Sequence, residues 1–316
     1  MTASPSRLRY AILGTGALGG YYGISLAAAG CDVQFVVRSD FDHVRQHGLK
    51  LDTPGKTIHL SSVKVASNTS QLTPFDVLII ATKTTGNHHL IEQIKACPGS
   101  PTLVVLQNGI GVEQELESIF GLGRVLGGCC FLCSNKVGPG HIQHLDKGHI
   151  TLGWPADQST AAAADRDLPS HIAADFGIAG IKVQVIPDLL LARWQKLMWN
   201  IPYNGLSVIL NASTAELMKN DNSVRLVREV MHDVRMGAEA CGKLIPASFA
   251  EALMEQTRSM VPYDSSMRLD FRAGRLLEID AIYGRPLRAA ADAGYRMKFV
   301  EMLHEQLSYL QNKHCK

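Results

Sequence analysis

Three polar side chains, Lys196, Asn200 and Asn204, recur at intervals of four within Arg193-Trp194-Gln195-Lys196-Leu197-Met198-Trp199-Asn200-Ile201-Pro202-Tyr203-Asn204. That interval stacks them on one face of a helix. Trp194, Leu197 and Met198 supply apolar neighbours, so the face is either buried or lines a cleft. Burial lowers a lysine's pKa, which suits Lys196 to donate a proton near neutral pH. Such a cation also stabilises the alkoxide left when hydride attacks a carbonyl carbon. From this segment alone, a solvent-facing lysine on a surface helix is an equal alternative.

A hydride donor is suggested at the other end of the chain. Gly14-Thr15-Gly16-Ala17-Leu18-Gly19 sits between an apolar strand at residues 8–13 and an Ala-rich helical stretch that Gly30 stops. In this context Gly14 permits the tight turn, Gly16 lets backbone approach a pyrophosphate, and Gly19 allows close helix–strand packing. The helix N-terminus offers unbonded amides to the anion. After the second strand, residues 32–37, the chain reads Arg38-Ser39 with no carboxylate at the tip; Asp40 lies beyond. An NAD enzyme usually places Asp or Glu there. Arg38 instead suits a 2′-phosphate, so the expected cofactor is NADP, with a solvated surface arginine as the alternative.

Lys83 and Asn108 each follow a predicted parallel strand, where ligands bind in such sheets. Either can contact the nicotinamide side or the substrate; singly, each is more often a plain loop residue. Glu278 lies between apolar residues, three positions after Arg275, and that spacing favours a helical ion pair. Ser266 reads as a helix cap.

These residues need elements to position them. Strands at 75–81 and 102–106, helices near 88–96 and at 112–120, and the opening strand–helix–strand unit imply a doubly wound parallel sheet. Segments 127–137, 141–145 and 150–153 read as short strands joined by Gly/Pro turns, and 183–186 as the last strand. Residues 158–174 read as a surface helix. Beyond Pro187 strand signals end, and 189–200, 223–241, 248–258, 275–293 and 296–311 show helical periodicity. The fold class is therefore α/β, with an N-terminal Rossmann-type doubly wound domain, 1–186, and a C-terminal all-helical domain, 187–316.

A chain of 316 residues suits two domains. A formal net charge of +2 is too small to argue for nucleic acid or an anionic membrane surface. The N-terminus has no apolar signal core and no run long enough to span a bilayer, so a cytosolic protein is expected. The Cys129, Cys130 and Cys133 cluster reads as reduced thiols buried in a strand rather than a zinc site. The oligomeric state stays open, with a homodimer as the candidate.

In order along the chain, the Gly14–Gly20 turn, Arg38, Lys83, Gln107-Asn108-Gly109-Ile110-Gly111, Trp194-x-Lys196-Leu197-x-x-Asn200, Ser265-Ser266-Met267 and Glu278-Ile279-Asp280 resemble the ketopantoate reductase (2-dehydropantoate 2-reductase) family. The resemblance runs through nearly the whole chain. It implies NADPH-dependent reduction of 2-dehydropantoate to pantoate, a step toward pantothenate and coenzyme A. It implies Lys196 as general acid and Glu278 as the group binding the substrate hydroxyl. Asn200, Asn204 and Ser266 hold carboxylate and hydroxyl, Asn108 touches cofactor and substrate, and Lys83 assists.

The chain also departs from the family pattern. Asn204 is followed by Gly205 where members often have proline, and Pro202 stands two residues earlier. Thr214 occupies a position where some members have asparagine. Ala281-Ile282-Tyr283-Gly284-Arg285-Pro286 follows Asp280 where many members have an Asn-Gly step, and Gly294-Tyr295-Arg296-Met297 replaces a proline-rich segment. These changes bear on which keto acid is reduced. Reduction of another 2-keto acid or related carbonyl, and a non-catalytic NADP-binding sensor, are the competing readings.

Overall fold

The computed structural model describes residues 7–155, 165–261 and 264–314. Two compact units emerge, Met1–Gln107 with Glu113–Leu189, and Asn108–Val112 with Leu190–Lys316.

The first unit is built on a mixed sheet. Its strands are β1 (Arg9–Leu13), β2 (Asp32–Val36), β3 (Leu49–Thr53), β4 (Lys56–Leu60), β5 (Lys64–Ala66), β6 (Val77–Ile80), β7 (Thr102–Val105), β8 (Val125–Gly138), β9 (His141–Gly153) and β10 (Val183–Val185). The order across the sheet is β4-β3-β9-β8-β7-β6-β1-β2-β5, with β10 also on β9. β5, β2, β1, β6, β7 and β8 pair parallel with one another along this path, and β8 turns antiparallel only toward β9. Tyr10–Leu13 and Val77–Ile80 are fully or almost fully buried, as continuous apolar strands covered on both faces must be. The helices of this unit are α1 (Ala17–Ala28), α2 (Phe41–His47), α3 (Leu90–Lys95), α4 (Val112–Phe120) and α5 (Leu168–Ile178); Val112 itself groups with the second unit. Gly30, at φ +85°, follows α1 as the sequence predicts.

Two expectations for this unit need correction. The expected strands at 141–145 and 150–153 are one strand, β9, paired antiparallel with β8. The polar stretch between them reads as a turn, but the register passes from Phe131↔His149 to Leu132↔Lys147, leaving Gly148 as a bulge. Residues 158–164 of the expected surface helix lie outside the described residues. Helix α5 starts later, with Pro169 in its first turn; its outer face, with Ser170, His171, Ala174 and Ile178, is exposed as expected of a surface helix, while Ile172 and Phe176 are buried in the sheet core and buried Asp175 accepts from the Tyr10 hydroxyl at 2.8 Å. The hairpin β3–β4 and strand β5 carried no sequence expectation.

The second unit is helical, with α6 (Leu189–Ile209), α7 (Thr214–Lys219), α8 (Asp221–Ala240), α9 (Ser248–Ser259), α10 (Ser266–Arg272), α11 (Arg285–Asp292) and α12 (Lys298–His314). Trp194, Leu197, Met198 and Ile201 of α6 share one core with Val230 and Val234 of α8 and Val300 and Leu303 of α12. Helix α6 continues through Pro202, nine residues beyond the expected end at 200. The expected helix 275–293 is not continuous. Residues 275–278 are non-helical, a π-helical turn spans Asp280–Gly284, and α11 follows. The backbone donors here are engaged elsewhere: Leu277 N donates to Gln311 Oε1 at 2.7 Å and Arg275 N to the Asp270 carbonyl at 2.9 Å, so these amides are committed outside a helix. Among the described residues no helix is long and apolar enough to cross a membrane.

Candidate active site

In the first unit, the turn from β1 into α1 can only be built from glycine at two points. Gly14 has φ +100°, and a Cβ there would lie 2.7 Å from the Thr82 amide nitrogen. A Cβ on Gly19 would lie 2.2 Å from the Gly14 carbonyl oxygen. At Gly16, the N-cap of α1, a Cβ would meet nothing within 4 Å. The turn is thus closed against the sheet and open above Gly16, where the first amides of α1, from Ala17 and Leu18, lack intrahelical acceptors. Thr15 Oγ1 donates to the Val36 carbonyl at 3.2 Å, tying the turn to the end of β2. This cradle fits a pyrophosphate.

Arg38 is exposed just past β2. The nearby carboxylate, Asp40, faces the β8–β9 turn. It accepts from Gly140 N at 3.0 Å and Ser39 Oγ at 2.8 Å, and pairs with Lys136. Partial burial alone would raise its carboxyl, but the Lys136, Gly140 and Ser39 hydrogen bonds hold it below the usual carboxylate range. The tip of β2 therefore presents a guanidinium, while its one nearby acid is engaged elsewhere.

Lys83 is exposed at the head of a 3₁₀ turn, Thr84–His89, after β6. Gln107, two residues past β7, has no role that its sequence context indicates, yet it holds this loop. Its Nε2 donates to the Thr82 carbonyl at 2.9 Å and to Asn87 Oδ1 at 2.7 Å, and Asn87 Nδ2 donates back to Gln107 Oε1 at 3.2 Å. Nothing in sequence spacing links Asn87 to Gln107; only adjacent parallel strands bring them together.

In the second unit, Lys196 is 8% exposed, so α6 does not present it to solvent. Its Nζ donates to Asn108 Oδ1 at 2.9 Å, and Asn108 Nδ2 lies 3.5 Å from Glu278 Oε2. One amide thus receives the amine on its oxygen and turns its NH₂ toward the carboxylate. Glu278 is 5% exposed. The expected Arg275–Glu278 helical ion pair is corrected: neither residue is in a helix, and Arg275 donates to Asp270.

Asn200 and Asn204, on the Lys196 face of α6, are buried, and among the described residues their side-chain amides make no hydrogen bond. Neither is among the enclosed side chains with an unpaired polar atom, so both amides are available to a polar ligand. Ser266 is half-buried and does not cap α10; Ser265 does, accepting from Arg268 N at 3.2 Å. Ser265 also pairs with Ser207 at 2.7 Å, and Ser207 donates to the Asn204 carbonyl at 3.0 Å. Thr214 is buried in the first turn of α7. The loop carrying Asn108 is seated on the π turn, with Ile110 N donating to the Ala281 carbonyl at 3.3 Å.

A buried amine, a carboxylate and amides in one helical unit are groups suited to holding and protonating a small oxygenated molecule, and a glycine turn at a helix N-terminus is suited to a dinucleotide's pyrophosphate. Comparison with known proteins gives the same direction. The ketopantoate reductase PanE/ApbA family matches residues 10–156, and its C-terminal part matches 188–311. A 2-dehydropantoate 2-reductase from Nostoc sp. is 44% identical over 307 residues, covering 96% of each chain. The crystal structure of 2-dehydropantoate 2-reductase from Geobacter metallireducens superposes with TM-score 0.90 at 37% identity, covering 96% of this chain and 99% of that one. A D-mandelate dehydrogenase solved with NADH and anilino(oxo)acetate shares the fold, at TM-score 0.86 and 22% identity, covering 97% and 99%.

Proposed function

This chain belongs to the ketopantoate reductase family of oxidoreductases, and from that premise we propose that it uses NADPH to reduce 2-dehydropantoate to pantoate, a step toward pantothenate. One observation carries the reading: a buried lysine amine held by Asn108 shares a helix face with two asparagine amides that make no hydrogen bond among the described residues.

The residues divide the work as follows. The Gly14-Thr15-Gly16-Ala17-Leu18-Gly19 turn holds the cofactor pyrophosphate, Arg38 its 2′-phosphate, and Lys83 and Asn108 its nicotinamide side. Bound NADPH supplies the hydride to the ketone carbon. Asn200, Asn204 and Ser266 orient the substrate's carboxylate and hydroxyl, and Glu278 accepts a hydrogen bond from that hydroxyl. The Lys196 Nζ stabilises the developing alkoxide and gives it a proton. Hydride and proton together convert the C=O to a CH–OH, and the lysine regains its proton from solvent. Asn108 keeps the amine aimed while its own NH₂ faces Glu278, so neither charge needs the other as its sole partner.

The fold alone does not choose the keto acid, since a D-mandelate dehydrogenase also has it. NADPH consumption is measured with ketopantoate and with a panel of other 2-keto acids, NADH being run in parallel. Preferred turnover of ketopantoate with NADPH is expected. Faster turnover of another keto acid replaces the substrate, and NADPH binding without any turnover replaces the enzyme with a sensor.

A further inference from the structure

Tyr283 is fully buried, and its hydroxyl donates to the Ile201 carbonyl of α6 at 2.9 Å. It also lies 4.0 Å from the Met267 sulfur, next to Ser266. Burial pushes its pKa well above the ordinary phenol value, so it stays a donor. A buried hydroxyl is costly unless bonded, so the Ile201 carbonyl determines where this ring sits. The space exists because residue 205 is glycine: a Cβ there would lie 2.9 Å from the Tyr283 hydroxyl oxygen.

The braced turn is the one that carries the Asn200 and Asn204 amides. Ile201 follows Asn200, and Gly205 follows Asn204. Between them, Pro202 has no N–H for the Met198 carbonyl, which leaves α6 locally short of one helix bond. Tyr283 in turn belongs to the π turn that begins two residues after Glu278. The Ala281 carbonyl in that turn receives Ile110 N of the Asn108 loop. Single-turn π segments inside helices often accompany functional sites. Here the segment touches every stretch of the helical unit that bears a candidate substrate-binding group.

We propose that Tyr283 is a positioning residue, whose bond to the Ile201 carbonyl sets the spacing of the Asn200 and Asn204 amides against the Glu278 carboxylate and thereby the affinity for the substrate's polar groups. This rests on the functional reading above, because it assumes that those amides meet the substrate. Tyr283→Phe removes only the hydroxyl. The KM for the keto acid should rise roughly 3- to 10-fold, the worth of one hydrogen bond, while kcat stays within about 2-fold by the same reasoning and the KM for NADPH is unchanged. A merely structural tyrosine would lower the melting temperature without that split, and an unchanged keto-acid KM in an active enzyme overturns the proposal.

Should the wild-type protein turn over no keto acid, the functional reading fails first, and amide hydrogen exchange still decides the brace. The amides of Ile201, Tyr203, Asn204 and Gly205 should exchange faster in Tyr283→Phe than in wild type; equal exchange refutes it. A stability cycle adds an independent check. Gly205→Ala should be more destabilising in wild type than in the Tyr283→Phe background, and additive losses contradict the close approach of the two residues.

Discussion

The Asn108 side-chain oxygen accepts the Lys196 amine at 2.9 Å, across 88 positions of sequence. An amide acceptor orients an ammonium group without supplying a counter-charge, and Asn108 spends its NH₂ on Glu278. The lysine is thereby held in one direction with its proton available, which is what general acid catalysis asks of it.

Replacing the amine should remove the proton donor and leave the core intact. Lys196→Ala is expected to lower turnover by at least ~10²-fold, the lower range for general acid catalysis, with NADPH binding preserved by fluorescence titration. Unchanged turnover would remove Lys196 from the role.

Selection of the 2′-phosphate should rest on Arg38. Charge-assisted hydrogen bonds contribute about 1.5–3 kcal/mol, so Arg38→Ala should weaken NADPH by roughly 10- to 100-fold and NADH far less. Equal losses for both nucleotides would contradict the assignment.

The seat of the Asn108 loop is testable by stability alone. Gly109 has φ +91°, and a Cβ there would lie 2.2 Å from the Ala281 carbonyl oxygen. Gly109→Ala should cost at least ~1–3 kcal/mol from backbone strain, read as a lower midpoint in urea. A variant as stable as wild type would show that the loop does not pack on the π turn.

The Asp40 clip should show in the acid limb of stability. Its carboxyl is held below the usual range in the folded protein: burial opposes this, but the hydrogen bonds from Lys136, Gly140 and Ser39 prevail. Its contribution is therefore present above the unfolded value of about 3.9 and is lost as pH falls through the lower folded value. Melting temperatures of wild type and Asp40→Asn should differ at pH near ~5 and converge well below ~3; parallel profiles would refute it.

Local geometry alone determined much of this protein. The glycine turn was legible because positive φ and close approach demand glycine whatever surrounds them, and Gly14 and Gly19 show both demands. Lys196, Asn200 and Asn204 share a face because a helix repeats every 3.6 residues. Arg38 stood out because a strand tip is a defined place in a strand–helix–strand unit. Tertiary structure decided what distance along the chain conceals. It brought Asn108 to Lys196 and Glu278, gave Arg275 to Asp270, and made Ser265 rather than Ser266 the cap of α10. It also fitted Tyr283 against Gly205. Periodicity reports which side chains share a surface; which surfaces then meet is settled by packing among elements far apart in sequence, where no spacing rule reaches.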